Sequence, residues 1–113
     1  MLAECKEITL KIREVHQMGG FEHVVIFNAE IQLVPDNPVV NIELIGSYDR
    51  EDDEKDAHLA TEYIRQGMEE ILQQHALGAY VIVDHLVIHP VDFRPEAYRR
   101  YTKQYLKNAI ADL

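Results

Sequence analysis

The chain has 113 residues, of which 47% are hydrophobic and 27% charged, as in an ordinary globular domain rather than a disordered or membrane-embedded segment. Its net charge of −9 argues against a protein that binds nucleic acid by bulk attraction, because such proteins carry surplus lysine and arginine. We therefore expect one cytoplasmic domain over residues 1–113, without a secretion signal or a membrane segment.

The first three predicted elements are strands. Apolar and polar residues alternate over about 6–15 and again over 22–34, which is typical of strands with one buried face. A third strand is predicted over 39–45. Glycine and proline turns separate the three segments, and such short connections favour an antiparallel meander.

A helix is predicted next, over 57–74, because apolar residues recur there every three or four positions. Its inner stripe includes Leu59 and Ile64. Gly67 lies inside the helix and indicates that another element packs closely at that point, since glycine otherwise disfavours a helix interior.

The last two predicted elements are a strand over 79–88 and a helix over 94–111. The strand is rich in β-branched residues with few polar interruptions, so we expect it to be covered over most of its length. The helix carries Tyr98, Tyr101 and Tyr105 on its inner stripe. We interpret them as core residues whose hydroxyls reach the rim, in preference to a base-stacking platform.

No residue pattern predicts an enzyme, a metal site or a cofactor. Ser47 is the only serine, and no histidine is placed beside it by the sequence. The acidic run over 46–56 lacks the spacing of a calcium loop. His85 and His89 would lie about 13 Å apart along one strand, which is too far for one metal ion. No glycine-rich loop with a lysine predicts a bound nucleotide either.

Several stretches of the second half nevertheless have a familiar order. A helix with an internal glycine (63–72) precedes a Gly-Ala-Tyr-Val-Ile-Val-Asp strand (78–84), a His-Pro-Val-Asp loop (89–92) and a closing helix with Ala97 and Tyr98. In the first half, a glycine pair stands shortly before His23. Together these features resemble domain IV of translation elongation factor G.

The resemblance implies an α+β fold, a two-layer βββαβα sandwich. Its four-stranded mixed sheet would carry both helices on one face and contain a left-handed βαβ crossover, against the usual handedness. In this arrangement Gly67 would let its helix lie close to the sheet. The resemblance also implies two tip loops, both shorter here than in the family, with these candidate residues: Gly19, Gly20, His23, His89 and Asp92. Without the family relationship, His89 would simply end a strand and Asp92 would cap a helix.

Two hypotheses about function follow. The last helix and its start are locally positive, and we take five cations there as RNA-binding candidates: Arg94, Arg99, Arg100, Lys103 and Lys107. The resemblance implies that the partner is the ribosome or another structured RNA. The alternative is a protein-interaction module that forms a homodimer through a strand edge or the apolar face of the sheet.

Overall fold

The computed structural model describes residues 6–16, 23–45, 54–88 and 93–112. The elements occur in the predicted order, and each boundary lies within three residues of the predicted one: β1 (Glu7–His16), β2 (His23–Pro35), β3 (Val40–Leu44), α1 (Glu54–Gln73), β4 (Leu77–Val87) and α2 (Pro95–Ala111). The predicted α+β class is therefore confirmed.

The four strands form one mixed sheet in the order β1-β2-β4-β3. β2 pairs antiparallel with both β1 and β4, whereas β3 runs parallel to β4. The predicted meander of three consecutive strands is wrong, because β4 is inserted between β2 and β3. The apolar strand β4 thereby has hydrogen-bonded neighbours on both sides, and the five-residue β3 lies at the edge of the sheet. The left-handed sense of the β3-α1-β4 crossover stays a prediction.

Both helices cover one face of this sheet, as predicted. α1 packs on β3 and β4, α2 packs on β1 and β2, and the two helices pack against each other. The alternating strand residues meet them in a single core that includes Leu10, Ile12, Phe27 and Ile31. The predicted inner position of Leu59 is wrong, since 39% of this residue is exposed. Smaller neighbours of Leu59 fill the helix contact instead: Ala57 and Ala60.

Gly67 marks the closest approach of α1 and α2. A β-carbon at this position would lie 2.7 Å from the carbonyl oxygen of Arg99 and 3.3 Å from the β-carbon of Thr102. The predicted close contact is thus confirmed, but its partner is the neighbouring helix. The implication that Gly67 serves contact with the sheet is therefore wrong.

β4 differs from its prediction in two respects. It is not covered over most of its length, because Tyr80 and Ile82 are 56% and 39% exposed on the face without helices. It also contains a β-bulge, in which two residues of β4 lie opposite one residue of β2. His85 has a positive φ of 55° at this bulge. The extra residue reverses the alternation, so that Leu86 and Ile88 become buried.

Candidate functional site

The five cations predicted to bind RNA lie on α2 or at its start, and they differ in how exposed they are. The helix buries Tyr98, Thr102 and Leu106, so its opposite side faces outward. Arg100 and Lys107 are exposed on that outer side. The remaining three occupy different surroundings: Arg99 and Lys103 are half-buried near α1, and exposed Arg94 occupies the N-cap position.

Arg99 joins the two helices through ion pairs. Its Nε and Nη2 donate to the two carboxylate oxygens of Glu70 on α1, at 2.5 and 2.7 Å, and its Nη1 donates to Glu96 at 2.6 Å. These hydrogen bonds raise the pKa of Arg99 and hold the pKa of Glu70 below its usual value. Arg99 is thus a structural link between α1 and α2, and less of its charge is available to a partner.

Lys103 and Lys107 border a groove between the two helices. Lys103 Nζ lies 3.4 Å from Glu70, a longer contact than those made by Arg99. Both lysines line a shallow groove of about 400 Å³ together with Ile71, Gln74 and Gln104. Among the described residues no carboxylate lines this groove, so the charged groups that line it there are both positive.

Arg100 connects the basic helix to the end of the β1–β2 pair. Its guanidinium lies over the ring of Tyr101, with 5.0 Å between the guanidinium carbon and the ring centroid. The hydroxyl of Tyr101 is hydrogen-bonded to Nε2 of His23 at 2.8 Å. The structure therefore brings together a predicted RNA-binding residue and a predicted tip-loop residue, through a tyrosine that we had assigned to the rim of the core.

His16 extends this cluster on β1. It pairs with His23 across the two strands, and their ring centroids are 4.8 Å apart. The ring of His16 is also nearly parallel to that of Tyr101, at a centroid distance of 6.2 Å. His16 is exposed, whereas only 8% of His23 is accessible. The exposed groups of the cluster are thus the His16 ring and the Arg100 guanidinium, and both contact the half-buried ring of Tyr101.

Glu14 anchors the inner side of the cluster. Tyr105 Oη donates to Glu14 Oε2 at 2.5 Å, and His16 Nε2 contacts Glu14 Oε1 at 2.9 Å. The hydrogen bond from Tyr105, and then that from His16, hold the pKa of Glu14 below its usual value. The same carboxylate raises the pKa of Tyr105 to about 12, because ionisation would break the hydrogen bond. A raised phenol pKa suits a hydrogen-bond donor better than a catalytic base.

The sequence contained a signal for this cluster that the prediction did not use. Glu14 and His16 continue the inward alternation of Leu10 and Ile12, so two polar residues stand where the pattern requires inward-facing ones. Their partners come from α2 and could not be assigned without the packing of that helix. The interpretation of the tyrosines as core residues is confirmed for Tyr98, which is fully buried and whose hydroxyl donates to the Val87 carbonyl, whereas Tyr101 and Tyr105 are half-buried against the core.

Four predicted tip-loop residues lie outside the described residues: Gly19, Gly20, His89 and Asp92. The N-cap position of α2 is occupied by Arg94, whose side chain does not cap the helix. Among residues 6–16, 23–45, 54–88 and 93–112, no group of three or more histidine, cysteine or carboxylate side chains is placed to hold a metal ion. In the same ranges, neither helix is long and apolar enough to cross a membrane.

Comparisons with known proteins assign no family to this chain. No family model matches the sequence, and no curated protein matches it. The resemblance to domain IV of elongation factor G therefore stays a prediction that rests on the sequence motifs.

Proposed function

We propose that this chain is a non-enzymatic, cytoplasmic binding domain that contacts structured RNA, such as that of the ribosome, through the outer side of α2 and the adjoining aromatic cluster. The observation that carries the proposal is the position of the Arg100 guanidinium over Tyr101, which is itself hydrogen-bonded to His23. Cations that neutralise phosphates, next to rings that can stack on unpaired bases, are the usual means of RNA recognition.

The distribution of charge supports this placement in spite of the acidic total. α2 has four basic side chains and one acidic one, whereas α1 has five acidic and two basic side chains. The acidic helix neutralises itself in part, since Arg65 pairs with Glu62 and Glu69. Among the described residues, α1 makes its ion pairs with α2 through Glu70, which binds Arg99 and lies near Lys103. Within α2, Arg100 and Lys107 are the exposed cations, and RNA would approach from their side.

The resemblance to elongation factor G supports the same end of the molecule. In that family the tip loops are the parts that enter the ribosome. Here His23 begins β2 immediately after one of the predicted tip loops, and it contacts the cation-bearing helix through Tyr101. The resemblance and the charge distribution thus favour the same surface, around Arg100.

The test is the binding of a labelled ribosomal RNA hairpin, followed by fluorescence anisotropy over a range of salt concentrations. We expect the double variant Arg100→Ala/Lys107→Ala to weaken binding and to lower the slope of log K against log salt by about one to two, since each lost phosphate contact removes close to one unit. The matched control is Lys11→Ala/Arg13→Ala, which removes the same charge from exposed positions of β1. The proposal is wrong if the chain binds no RNA at low salt, or if both double variants lose equal affinity.

A homodimer through a strand edge is the second candidate function. β1 is a ten-residue strand that pairs with β2 on one side and has no strand on its other side within the described part of the chain. Such an edge can pair with the same edge of a second molecule. Light scattering that gives the mass of a monomer over a wide range of protein concentration would exclude this candidate.

A further inference from the structure

The face of the sheet opposite the helices carries exposed apolar side chains near its centre. Tyr80 and Ile82 of β4 point to this face, and Ile45, just after β3, is 59% exposed beside them. β4 lies between β2 and β3, so Tyr80 and Ile82 are not at the margin of the sheet. A strand with one wet face normally alternates apolar with polar residues, whereas β4 has the apolar composition of a strand covered on both faces.

The shape of this face allows another chain to lie across it. Two neighbouring depressions of about 270 and 180 Å³ share Thr9, Glu30 and Ile82. The first extends towards Glu7 and Tyr80, and the second extends towards Asp84 and Ile45. Together they form a shallow groove with Tyr80 and Ile82 on an apolar floor, and carboxylates outnumber the one lysine, Lys11, among its lining residues.

The strand register places carboxylates on both sides of that floor. Ile82 lies opposite Glu30 of β2 on one side and opposite Glu43 of β3 on the other. Neighbouring strands are about 4.8 Å apart, so these two carboxylates flank the isoleucine at a separation of about 10 Å. Within the described part of the chain, no ion pair involves Glu7, Glu30 or Glu43.

We propose that this open face, defined by Tyr80, Ile82, Ile45, Glu30 and Glu43, is a docking surface for a basic, partly apolar segment of another protein. Apolar side chains of the segment would cover Tyr80 and Ile82, and lysine or arginine side chains would pair with the flanking carboxylates. A cation over the ring of Tyr80 would add to this attraction.

The charge of the open face favours a basic protein segment over RNA or a second copy of this chain. RNA would bring phosphates against the same carboxylates, which disfavours it here. A second copy of the chain, docked face to face, would present the same acidic residues around an equally small apolar centre. The surface is therefore separate from the RNA-binding surface proposed above, which lies beyond the opposite face of the sheet, and either proposal can fail without the other.

The test uses a short synthetic peptide that alternates lysine with leucine, and a reference peptide in which glutamate replaces lysine. Amide chemical shifts of the labelled protein, followed during titration, report both the affinity and the location. We expect the lysine peptide to shift signals along β4, β3 and the facing residues of β2, and the glutamate peptide to shift none of them. Signals that move on α2 instead, equal binding of the two peptides, or no binding would overturn the proposal.

Two pairs of matched variants separate docking from general attraction to an acidic protein. Glu30→Gln/Glu43→Gln removes two charges from the open face, and we expect it to weaken binding by about fivefold, as for two exposed ion pairs. Glu62→Gln/Glu69→Gln removes two charges from α1 and should leave the affinity unchanged. Equal losses from the two variants would show that the attraction is not local.

The second pair tests the apolar floor. Ile82→Thr keeps a β-branched residue in the strand, and we expect it to weaken peptide binding by several-fold, whereas Leu59→Thr on α1 should have no effect. Ile82 and Leu59 are equally exposed, at 39%, so a difference in peptide binding between the two variants reflects where the side chain lies and not how accessible it is. A dimer detected by sedimentation and dissolved by Ile82→Thr would overturn the proposal in favour of a second copy as the occupant.

Discussion

Ile31 and Ile82 are isoleucines of neighbouring strands that point to opposite faces of one sheet. Ile31 is 1% exposed beneath the helices, and Ile82 is 39% exposed on the open face. Their backbone surroundings are alike, since β2 and β4 are adjacent and hydrogen-bonded. We therefore expect the helix-covered face to contribute more to the stability of this fold than the apolar residues of the open face do.

Replacing each isoleucine with alanine is the strongest test of this difference. We expect Ile31→Ala to lower the free energy of unfolding by about 3 to 4 kcal/mol, because it removes buried methyl groups and leaves a cavity. Ile82→Ala should lower it by about 1 kcal/mol or less, since most of the lost contact is with solvent. Urea denaturation of both variants measures the two values. Similar losses would mean that the open face contributes to stability as much as the core does.

Gly67 tests how closely the helix layer is packed. We expect Gly67→Ala to lower the free energy of unfolding by about 1 to 3 kcal/mol, because the added methyl group meets the backbone of α2 and the helices must separate. This result opposes the gain of about 1 kcal/mol that alanine gives in an ordinary helix. The exposed Gln73→Ala in the same helix is the control and should change stability by about 0.5 kcal/mol or less. A more stable Gly67→Ala variant would contradict the close approach.

The helix-covered face was the predictable part of the molecule. Strict alternation in β1 and β2 identified the inward residues, and helical periodicity identified most of those of α1 and α2. Both signals are local, because they depend on residues a few positions apart. The position of β3 was predicted incorrectly from the residues alone, since pairing with β4 is a choice between distant strands that short connections do not determine.

The exposure of the open face and the contacts within the candidate site were missed for related reasons. An apolar run does not show whether one or two layers will cover it, so the exposure of Tyr80 and Ile82 was missed. The bulge at His85 depends on the register between β2 and β4, and the contact between Tyr101 and His23 depends on the angle at which α2 crosses the sheet. Residue type predicted which groups could interact, and only tertiary packing decided which of them meet.

Two carboxylates can be compared in the same way: Glu70, which has an ion pair on the helix side, and Glu30 on the open face, which has none among the described residues. The folded pKa of Glu70 lies below the usual value of 4.5. The ion pair with Arg99 therefore stabilises the fold above that pH and is lost as the pH falls through the lower folded pKa. We expect Glu70→Gln to lower the melting temperature at neutral pH, by less than Gly67→Ala does, and to have a diminishing effect in acid.

The control for Glu70 is Glu30→Gln, which removes a carboxylate of the open face that has no ion pair within the described part of the chain. Thermal melts of both variants and the parent protein from neutral to acidic pH give the comparison. An equal shift in the two variants at neutral pH would show that net charge, rather than the contact between the helices, accounts for the effect.

Tyr105 and Tyr80 provide the smallest and most specific comparison. The hydrogen bond to Glu14 raises the pKa of Tyr105 to about 12, above the usual value of 10.0. A group whose pKa is raised on folding stabilises the protein fully below its unfolded pKa, and this contribution disappears as the pH rises through the folded value. The parent protein should therefore lose stability between pH 10 and about 12.

Tyr105→Phe removes this ionisation together with its hydrogen bond. The variant should start from a slightly lower melting temperature at neutral pH and then lose less than the parent protein between pH 10 and 12, so the two curves converge. Tyr80→Phe on the open face should instead follow the parent curve, since its hydroxyl has no hydrogen bond among the described residues. Parallel curves for the parent and Tyr105→Phe would mean that the link between α2 and β1 breaks before the phenol ionises, and that the cluster around Glu14 does not hold the helix to the end of the sheet.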